Sequence, residues 1–198
     1  NWLAPKVAQA QAQRTTGRFS GANVYTLPTV VHVIHNGDPV GVNENISAAQ
    51  VYSQMDVLNE DFRRLNPDTV NTPSNFQPVA SDVGVEFCLA QVDPNGNILA
   101  EPGINRVDAG QATWSNTNDI DNNLKPATIW DPDRYFNIWV VDFGNTGLLG
   151  YAQFPSSSGL GGMPANGGPA NTDGIVCWHR AFGTLGTVRS PSNGGRTA

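Results

Sequence analysis

The sequence predicts an α+β fold, in which a twisted, mixed sheet of about five strands has a long helix behind it and an antiparallel edge strand. Three observations predict this fold: apolar runs of strand length, one long stretch with helical periodicity, and a short glycine-flanked segment that ends at a proline. With 198 residues, 14% of them charged, and with 21 glycines and 14 prolines, the chain fits one loop-rich domain.

The first element is a strand predicted over Tyr25–His35, where apolar side chains alternate between two faces. His32 and His35 are three residues apart, so in a strand they point to opposite faces. They cannot both bind one metal ion in that geometry, and we expect structural or surface roles for them.

The second element is a long helix that begins after Ser47. The spacing Ser47-x-x-Gln50 predicts a capping box, and Asn66-Pro67 predicts the end of the helix. Apolar residues then recur at intervals of three and four and predict one buried stripe. They are Val51, Met55, Leu58, Phe62 and Leu65.

A second strand is predicted over residues 83–89 from its alternating pattern. The turn Asp93–Asn97 has Asn-Gly at its centre, which predicts a hairpin with the region Ile98–Val107.

Asp119–Asn123 superficially resembles the start of a calcium loop, but it lacks the glycine at the sixth position and the late glutamate. A calcium site there is therefore disfavoured, and calcium elsewhere remains possible. Tyr135–Phe143 is predicted to be a buried strand that pairs with the first one.

The next predicted strand is short and has two glycines, Gly147 and Gly150, at its start. It is followed by a proline, which favours the edge of a sheet over its centre. Because an edge strand has unpaired N–H and C=O groups, an extended peptide can pair with it. A hairpin arm without a ligand fits the same residues. The candidate substrate-binding residues are Leu149, Gly150, Tyr151, Ala152, Gln153 and Phe154.

The uncharged segment 155–172 predicts a mobile lid or a surface Ω-loop, because it is too long for a simple turn. Asp173–Trp178 then predicts a return to the sheet. His179 follows beside Arg180, and a lone histidine in such a place is more often structural than a ligand.

Charge and hydropathy exclude two classes of partner. The formal net charge is −6 and no cluster of Lys or Arg is present, which argues against nucleic acid. No apolar run approaches the roughly 18 residues that a membrane span requires, so we expect none. The chain starts at Asn1 without Met or a signal peptide, and we expect a processed or partial chain that lacks material on both sides.

One resemblance covers most of the chain. The segment L-L-G-Y-A-Q-F-P, followed by T-D-G-I-V, resembles the pappalysin family of zinc metalloproteases within the metzincin group. Further matching blocks recur in order across about 170 residues. They are L-P-T-V-V-H-V-I-H (27–35), the helix 46–68, V-E-F-C-L-A (85–90), D-P-N-G-N (93–97), W-D-P (130–132) and G-R-T-A (195–198).

The resemblance implies that Leu149–Phe154 is the edge strand above an active-site cleft and that a peptide or protein substrate lies antiparallel to it. It also implies a zinc ion that polarises the scissile carbonyl and activates a water molecule, with a glutamate as general base. The family's motif H-E-x-x-H-x-x-G-x-x-H does not occur in residues 1–198, so no catalytic or metal-binding residue is expected within this chain. The zinc ligands are expected beyond Ala198, and the partner of the chain would be the remainder of its own catalytic domain.

These implications lead to one main hypothesis and one alternative. The main hypothesis is a secreted zinc endopeptidase, present as its substrate-holding N-terminal part and inactive as the 198-residue chain alone. Residues 1–22 would be a propeptide remnant or N-terminal linker, although a plain helix over Trp2–Arg14 fits too, and residues 23–198 would be the N-terminal subdomain. The alternative is a non-catalytic peptide-binding or structural module of the cell surface, derived from the same fold.

The two cysteines lie in segments that predict strands. In the metzincin strand order these strands are not neighbours, so the resemblance argues against a disulfide between Cys88 and Cys177. We expect two buried thiols.

Overall fold

The computed structural model describes residues 24–154, 168–189 and 194–198. The chain divides into two compact units, one with Asn59–Glu86 and the described residues 24–26, the other with Leu27–Leu58 and Phe87–Ala198. The predicted helix Trp2–Arg14 and most of the predicted lid, residues 155–167, lie outside the described residues.

The predicted α+β class is confirmed, because the described residues form a mixed sheet of six strands with helices. The strand order is β2-β1-β4-β6-β5, and β3 also pairs with β1. β1 is parallel to β3 and to β4, β4 is parallel to β6, and β5 is antiparallel to β6 at the edge. The strands are β1 Tyr25–His35, β2 Val85–Leu89, β3 Ile104–Asp108, β4 Phe136–Val141, β5 Gly150–Ala152 and β6 Ile175–Trp178.

β1 and β4 form the centre of the sheet, and both carry nearly continuous buried runs. In their parallel register His32 lies beside Trp139 and Val33 lies beside Val140, so neighbouring pairs alternate between the two faces. All four side chains are fully buried, which means that both faces of these strands are covered. The predicted pairing of the first strand with the Tyr135–Phe143 region is correct.

The long helix, α1, spans Ala48–Phe62 and begins where the sequence predicts. The Oγ of Ser47 accepts a hydrogen bond from the Gln50 N–H at 3.2 Å, as in a capping box. Val51, Met55 and Leu58 of the predicted stripe are buried.

The predicted end of α1 is wrong. The helix stops at Phe62 because Arg64 adopts a left-handed φ of 53°, and the Leu65 N–H then bonds back to the carbonyl of Glu60. Leu65 is consequently 73% exposed, and Phe62 is 36% exposed. The stripe thus loses its last two predicted members.

The predicted hairpin after β2 forms only beside its turn and does not extend to Val107. Val92 and Ile98 form an antiparallel bridge around Asp93–Asn97, and the Leu99 N–H donates to the Gln91 carbonyl at 3.0 Å. Gly103 donates its N–H to the Ala90 carbonyl and accepts from the N–H of Val31, which directs β3 into parallel pairing with β1.

A second helical element, α2, consists of three consecutive pieces: Thr117–Asp119, the π-helical Ile120–Leu124, and Lys125–Thr128. The segment that superficially resembles a calcium loop is therefore helical. Ile120 and Leu124 of α2 pack in one buried cluster with Trp139 and Val176, on the His32 face of the sheet.

The prediction of two buried thiols holds for one cysteine only. Both cysteines are free, but Cys177 is buried in β6 whereas Cys88 is exposed. Cys88 follows the buried Phe87 in β2, so strand alternation turns its side chain to the outside.

Candidate functional site

The candidate site is built on β5, the last strand in the order of the described sheet. β5 covers only Gly150–Ala152, so it is shorter than the predicted segment Leu149–Phe154. It pairs with β6 on one side, and no described strand pairs with its other side. The structure therefore places this segment at a sheet edge, as the sequence predicts.

The hydrogen-bond pattern shows which backbone groups face outwards. Leu149 and Trp178 are a hydrogen-bonded pair, because the Trp178 N–H donates to the Leu149 carbonyl at 2.8 Å. Tyr151, two residues after Leu149, lies opposite Val176 and is the next residue of the same type. In an antiparallel ladder, hydrogen-bonded and non-hydrogen-bonded pairs alternate. Gly150 and Ala152 are thus the non-hydrogen-bonded positions, and their N–H and C=O groups point to the open side of β5.

Gln153 and Phe154, which the sequence also predicts in the site, already bond to other residues of the chain. Gln153 donates its side-chain amide to the Pro169 carbonyl at 3.0 Å and accepts from the Thr172 hydroxyl at 2.6 Å. The Phe154 carbonyl accepts from the Gly168 N–H at 3.1 Å. This end of the segment is therefore held by residues 168–172, whereas the side chains of Leu149 and Phe154 are about half exposed.

On one face, β5 is tied to α2 through a buried cation. The Tyr151 hydroxyl donates to Oδ1 of Asp121 at 2.9 Å, and Nζ of the buried Lys125 contacts the same oxygen at 2.8 Å. Lys125 also lies 4.7 Å from the Tyr151 ring centroid. Burial, reinforced by Asp121, raises the pKa of Tyr151, so its phenol stays a neutral donor. The only sequence signal for this cluster is the i,i+4 spacing of Asp121 and Lys125, which is typical of a helical ion pair.

On the opposite face, β5 lies against the segment 194–198. A methyl group built on Gly150 would lie 2.8 Å from the Val176 carbonyl and 3.4 Å from Cγ2 of Thr197. A side chain at this position would therefore displace its neighbours, and Gly150 lets the strands approach closely.

Gln50 of α1 fixes the loop that follows β6. Its fully buried amide donates to the carbonyls of His179 and Phe182 at 2.8 and 3.0 Å, and its oxygen accepts from the Thr187 N–H at 2.9 Å. The sequence predicts Gln50 only as part of a capping box, because the first of these partners is 129 residues away.

Gln54, one turn later, fixes the same loop and the segment 194–198. Its Oε1 accepts from the Gly183 N–H at 2.7 Å, and its Nε2 donates to the Gly195 carbonyl at 2.7 Å. The polar face of α1 thus sets the position of the chain that passes beside β5.

The histidines do not come together. The buried His32 bonds through its two ring nitrogens to Asn137 at 2.9 Å and Asn105 at 3.0 Å, and burial lowers its pKa to about 4. Nδ1 of His35 accepts a hydrogen bond from the N–H of Gly37 at 3.0 Å. His179 is buried too, which lowers its pKa, although Asp142, 3.9 Å away, opposes this shift.

This arrangement does not fit a zinc site. Within residues 24–154, 168–189 and 194–198, no three His, Cys, Asp or Glu side chains are grouped so that they could hold a metal ion. The described residues can hold a peptide backbone, but they supply no metal chemistry.

Comparison with known proteins yields solved structures only, since no family model and no curated protein matches the chain. The chain is similar to mature mirolysin of Tannerella forsythia in complex with a cleaved peptide, with 41% identity, a TM-score of 0.72 and 89% of this chain covered. Mirolysin in complex with a molecule named compound 9 matches with 42% identity, a TM-score of 0.71 and 89% coverage. A mutant of Tannerella forsythia promirolysin matches with 39% identity, a TM-score of 0.71 and 98% coverage.

The fold is that of a metzincin-like metalloprotease. The chain spans only 60%, 61% and 59% of the lengths of these three structures, respectively. The matches support the metallopeptidase superfamily, as the resemblance predicts, and the finer assignment to the pappalysin family remains a prediction. In the described part of the chain, no helix is long and apolar enough to cross a membrane.

Proposed function

We propose that this chain is the substrate-holding N-terminal part of a secreted zinc endopeptidase of the pappalysin family. The observation that carries the proposal is the open edge of β5, where Gly150 and Ala152 present backbone groups in a metalloprotease fold. The similarity to a mirolysin structure that holds a cleaved peptide supports it.

The peptide binds as an additional strand antiparallel to β5. Gly150 and Ala152 each offer one N–H and one C=O, so an extended peptide gains hydrogen bonds whatever its side chains are. Each such bond contributes about 0.5–1.5 kcal/mol net. The Tyr151–Asp121–Lys125 cluster and the close packing at Gly150 keep the edge rigid, which lowers the entropic cost of binding.

The zinc ligands and the general base belong to the protein beyond residue 198. The segment 194–198 supports this assignment, because Gln54 holds Gly195 and because Thr197 lies beside Gly150. A catalytic helix that starts there begins directly next to the peptide-binding edge. The chain 1–198 alone is expected to be inactive.

Residues 1–22 are the remainder of a propeptide or an N-terminal linker. The match to promirolysin covers 98% of this chain, whereas the match to mature mirolysin covers 89%. This difference supports a pro-segment, and a pro-segment in turn fits a secreted protease.

The variant Ala152→Pro tests the edge in the complete, zinc-loaded protein. Proline removes the outward N–H of Ala152 but no hydrogen bond between β5 and β6, and edge positions of this kind tolerate it. We expect kcat/KM for peptides to fall at least about fivefold, with an unchanged melting temperature. Ala152→Ser is the matched control, because it keeps the N–H. Gln153→Pro is less informative, since Gln153 also holds Pro169 and Thr172.

Two outcomes would overturn parts of the proposal. Equal kcat/KM for Ala152→Pro and Ala152→Ser would remove β5 from the substrate site. If the complete protein binds extended peptides but cleaves none in the presence of zinc, the function is that of a non-catalytic binding module.

A further inference from the structure

A cavity of about 480 Å³ opens beside the start of β5. Its lining includes Leu148 and Leu149 from the turn that leads into β5, and Trp178, Arg180 and Arg189 from the end of β6 and the loop after it. No carboxylate lines this cavity among the described residues. Its lining thus carries two positive charges, and Arg180 also lines a neighbouring cavity together with Asp38, Glu44 and Asp142.

Neither arginine forms an ion pair within the described part of the chain. Other buried or half-buried cations there have acidic partners, such as Arg106 with Glu101 and Lys125 with Asp121. Arg180 and Arg189 are exposed, and no described carboxylate forms an ion pair with either of them. Their guanidinium donors are therefore available to an incoming anion.

The two arginines are also held in place. The Arg189 N–H donates to the Arg180 carbonyl at 2.9 Å, which joins their backbones. The Arg180 guanidinium lies 5.9 Å from the Trp178 ring centroid, and the Trp178 indole N–H donates to Asp142 at 2.9 Å. The backbone of this wall and the Trp178 ring are thus fixed, which limits the entropy lost on binding to that of the exposed arginine side chains.

The cavity lies on the path of a peptide paired with β5. An antiparallel peptide runs from Ala152 towards Gly150, so its following residues pass Leu149 and reach the arginines. We propose that the cavity is a specificity subsite that binds a peptide carboxylate located C-terminal to the residues paired with β5. This inference rests on the proposed function. The carboxylate belongs either to an Asp or Glu side chain or to the C-terminus of a short peptide.

Peptide series test the inference in the complete, zinc-loaded protein. Fluorogenic peptides carry Glu, Gln or Lys at single positions on either side of the scissile bond, each with a free or an amidated C-terminus. We expect Glu to raise kcat/KM about three- to tenfold over Gln at one or two positions on the C-terminal side, and Lys to lower it. The preference should weaken as salt is raised, because the arginines are exposed. If a free C-terminus raises kcat/KM over the amidated peptide but an internal Glu does not raise it over Gln, the cavity binds a C-terminal carboxylate.

Variants identify the charges responsible. Arg180→Gln with Arg189→Gln should reduce the Glu-to-Gln ratio to about one, and Arg180→Gln with Arg189→Glu should turn the preference towards Lys. Arg134→Gln is the matched control, because Arg134 is exposed and precedes β4, at the opposite end of the parallel strands. It should leave the ratio unchanged.

The possible failures are distinguishable. Cleavage without any preference for a carboxylate, or a preference that survives the double substitution in a protein with an unchanged melting temperature, overturns this inference and leaves the proposed function intact. Cleavage of no peptide overturns the proposed function and this inference with it.

Discussion

Replacement of Gln50 by leucine tests how α1 holds the loop between β6 and the segment 194–198. Gln50 is fully buried, and its amide makes hydrogen bonds with the backbone of His179, Phe182 and Thr187. Leucine has a similar volume but no polar side-chain atom. Gln50→Leu therefore leaves two carbonyls and one N–H without their partner while changing the packing little, and the Thr187 hydroxyl, which also donates to Gln50 at 3.2 Å, keeps its contact with Nδ1 of His179.

The expected loss follows from these three groups. A buried polar group without a partner costs about 1–3 kcal/mol, and the half-buried N–H of Thr187 falls at the low end of this range. Together with some relaxation of the loop, Gln50→Leu should lower the free energy of unfolding by about 4 kcal/mol. This is a large part of the roughly 5–15 kcal/mol that is usual for a folded domain.

Urea unfolding of the complete protein, followed by tryptophan fluorescence, measures this loss. Gln111→Leu is the matched control, because Gln111 is exposed and its amide bonds to the nearby Thr113 carbonyl, two residues away. The control should change the free energy of unfolding by less than about 0.5 kcal/mol. A loss below about 1 kcal/mol for Gln50→Leu would refute the role of Gln50 in fixing the loop.

Three further predictions concern single side chains. Burial lowers the pKa of His32 from 6.5 to about 4, so between these pH values the unfolded chain binds a proton that the folded chain does not. The free energy of unfolding should therefore fall by up to about 3 kcal/mol as the pH drops from 6.5 to about 4. Unfolding of wild type and His32→Gln at several pH values checks this, and an equal dependence of the free energy of unfolding on pH in the two proteins would contradict it. Iodoacetamide should label Cys88 in the native protein but Cys177 only after unfolding, because Cys177 is buried and burial raises its pKa to about 12. Peptide mass spectrometry detects the labels, and labelling of Cys177 in the native protein would be inconsistent with its burial. Tyr151→Phe should cost about 1 kcal/mol of unfolding free energy through the lost bond to Asp121, and no change in thermal or urea unfolding would argue against that bond.

The local elements of the fold can be predicted from the sequence. The bounds of β1 are correct because its nearly continuous apolar run has the length of a strand and ends at the Asn36-Gly37 turn, and the start of α1 is correct because Ser47 is a local signal. The end of α1 differs from the prediction because Arg64, not a glycine, adopts the left-handed conformation. The exposure of Cys88 follows from the alternation in β2, where it shares a face with Glu86 opposite the buried Phe87; the expectation of a buried thiol rested on residue type alone.

The candidate site is predictable only in part, because it depends on contacts between distant segments. The edge character of β5 is visible in its glycines and its closing proline. The outward direction of Gly150 and Ala152 depends on the register with β6, which no local pattern encodes. The partners of Gln50 and the common cavity of Arg180 and Arg189 also arise only when the chain folds.

The proposed function depends on β5 holding the substrate by its backbone. A crystal structure of the complete, zinc-loaded protein with a peptide substrate or product measures this contact directly. We predict that the peptide lies antiparallel to β5, with N···O distances of about 2.7–3.2 Å to the backbone groups of Gly150 and Ala152. A bound peptide that leaves both residues without such bonds would contradict this mode of binding.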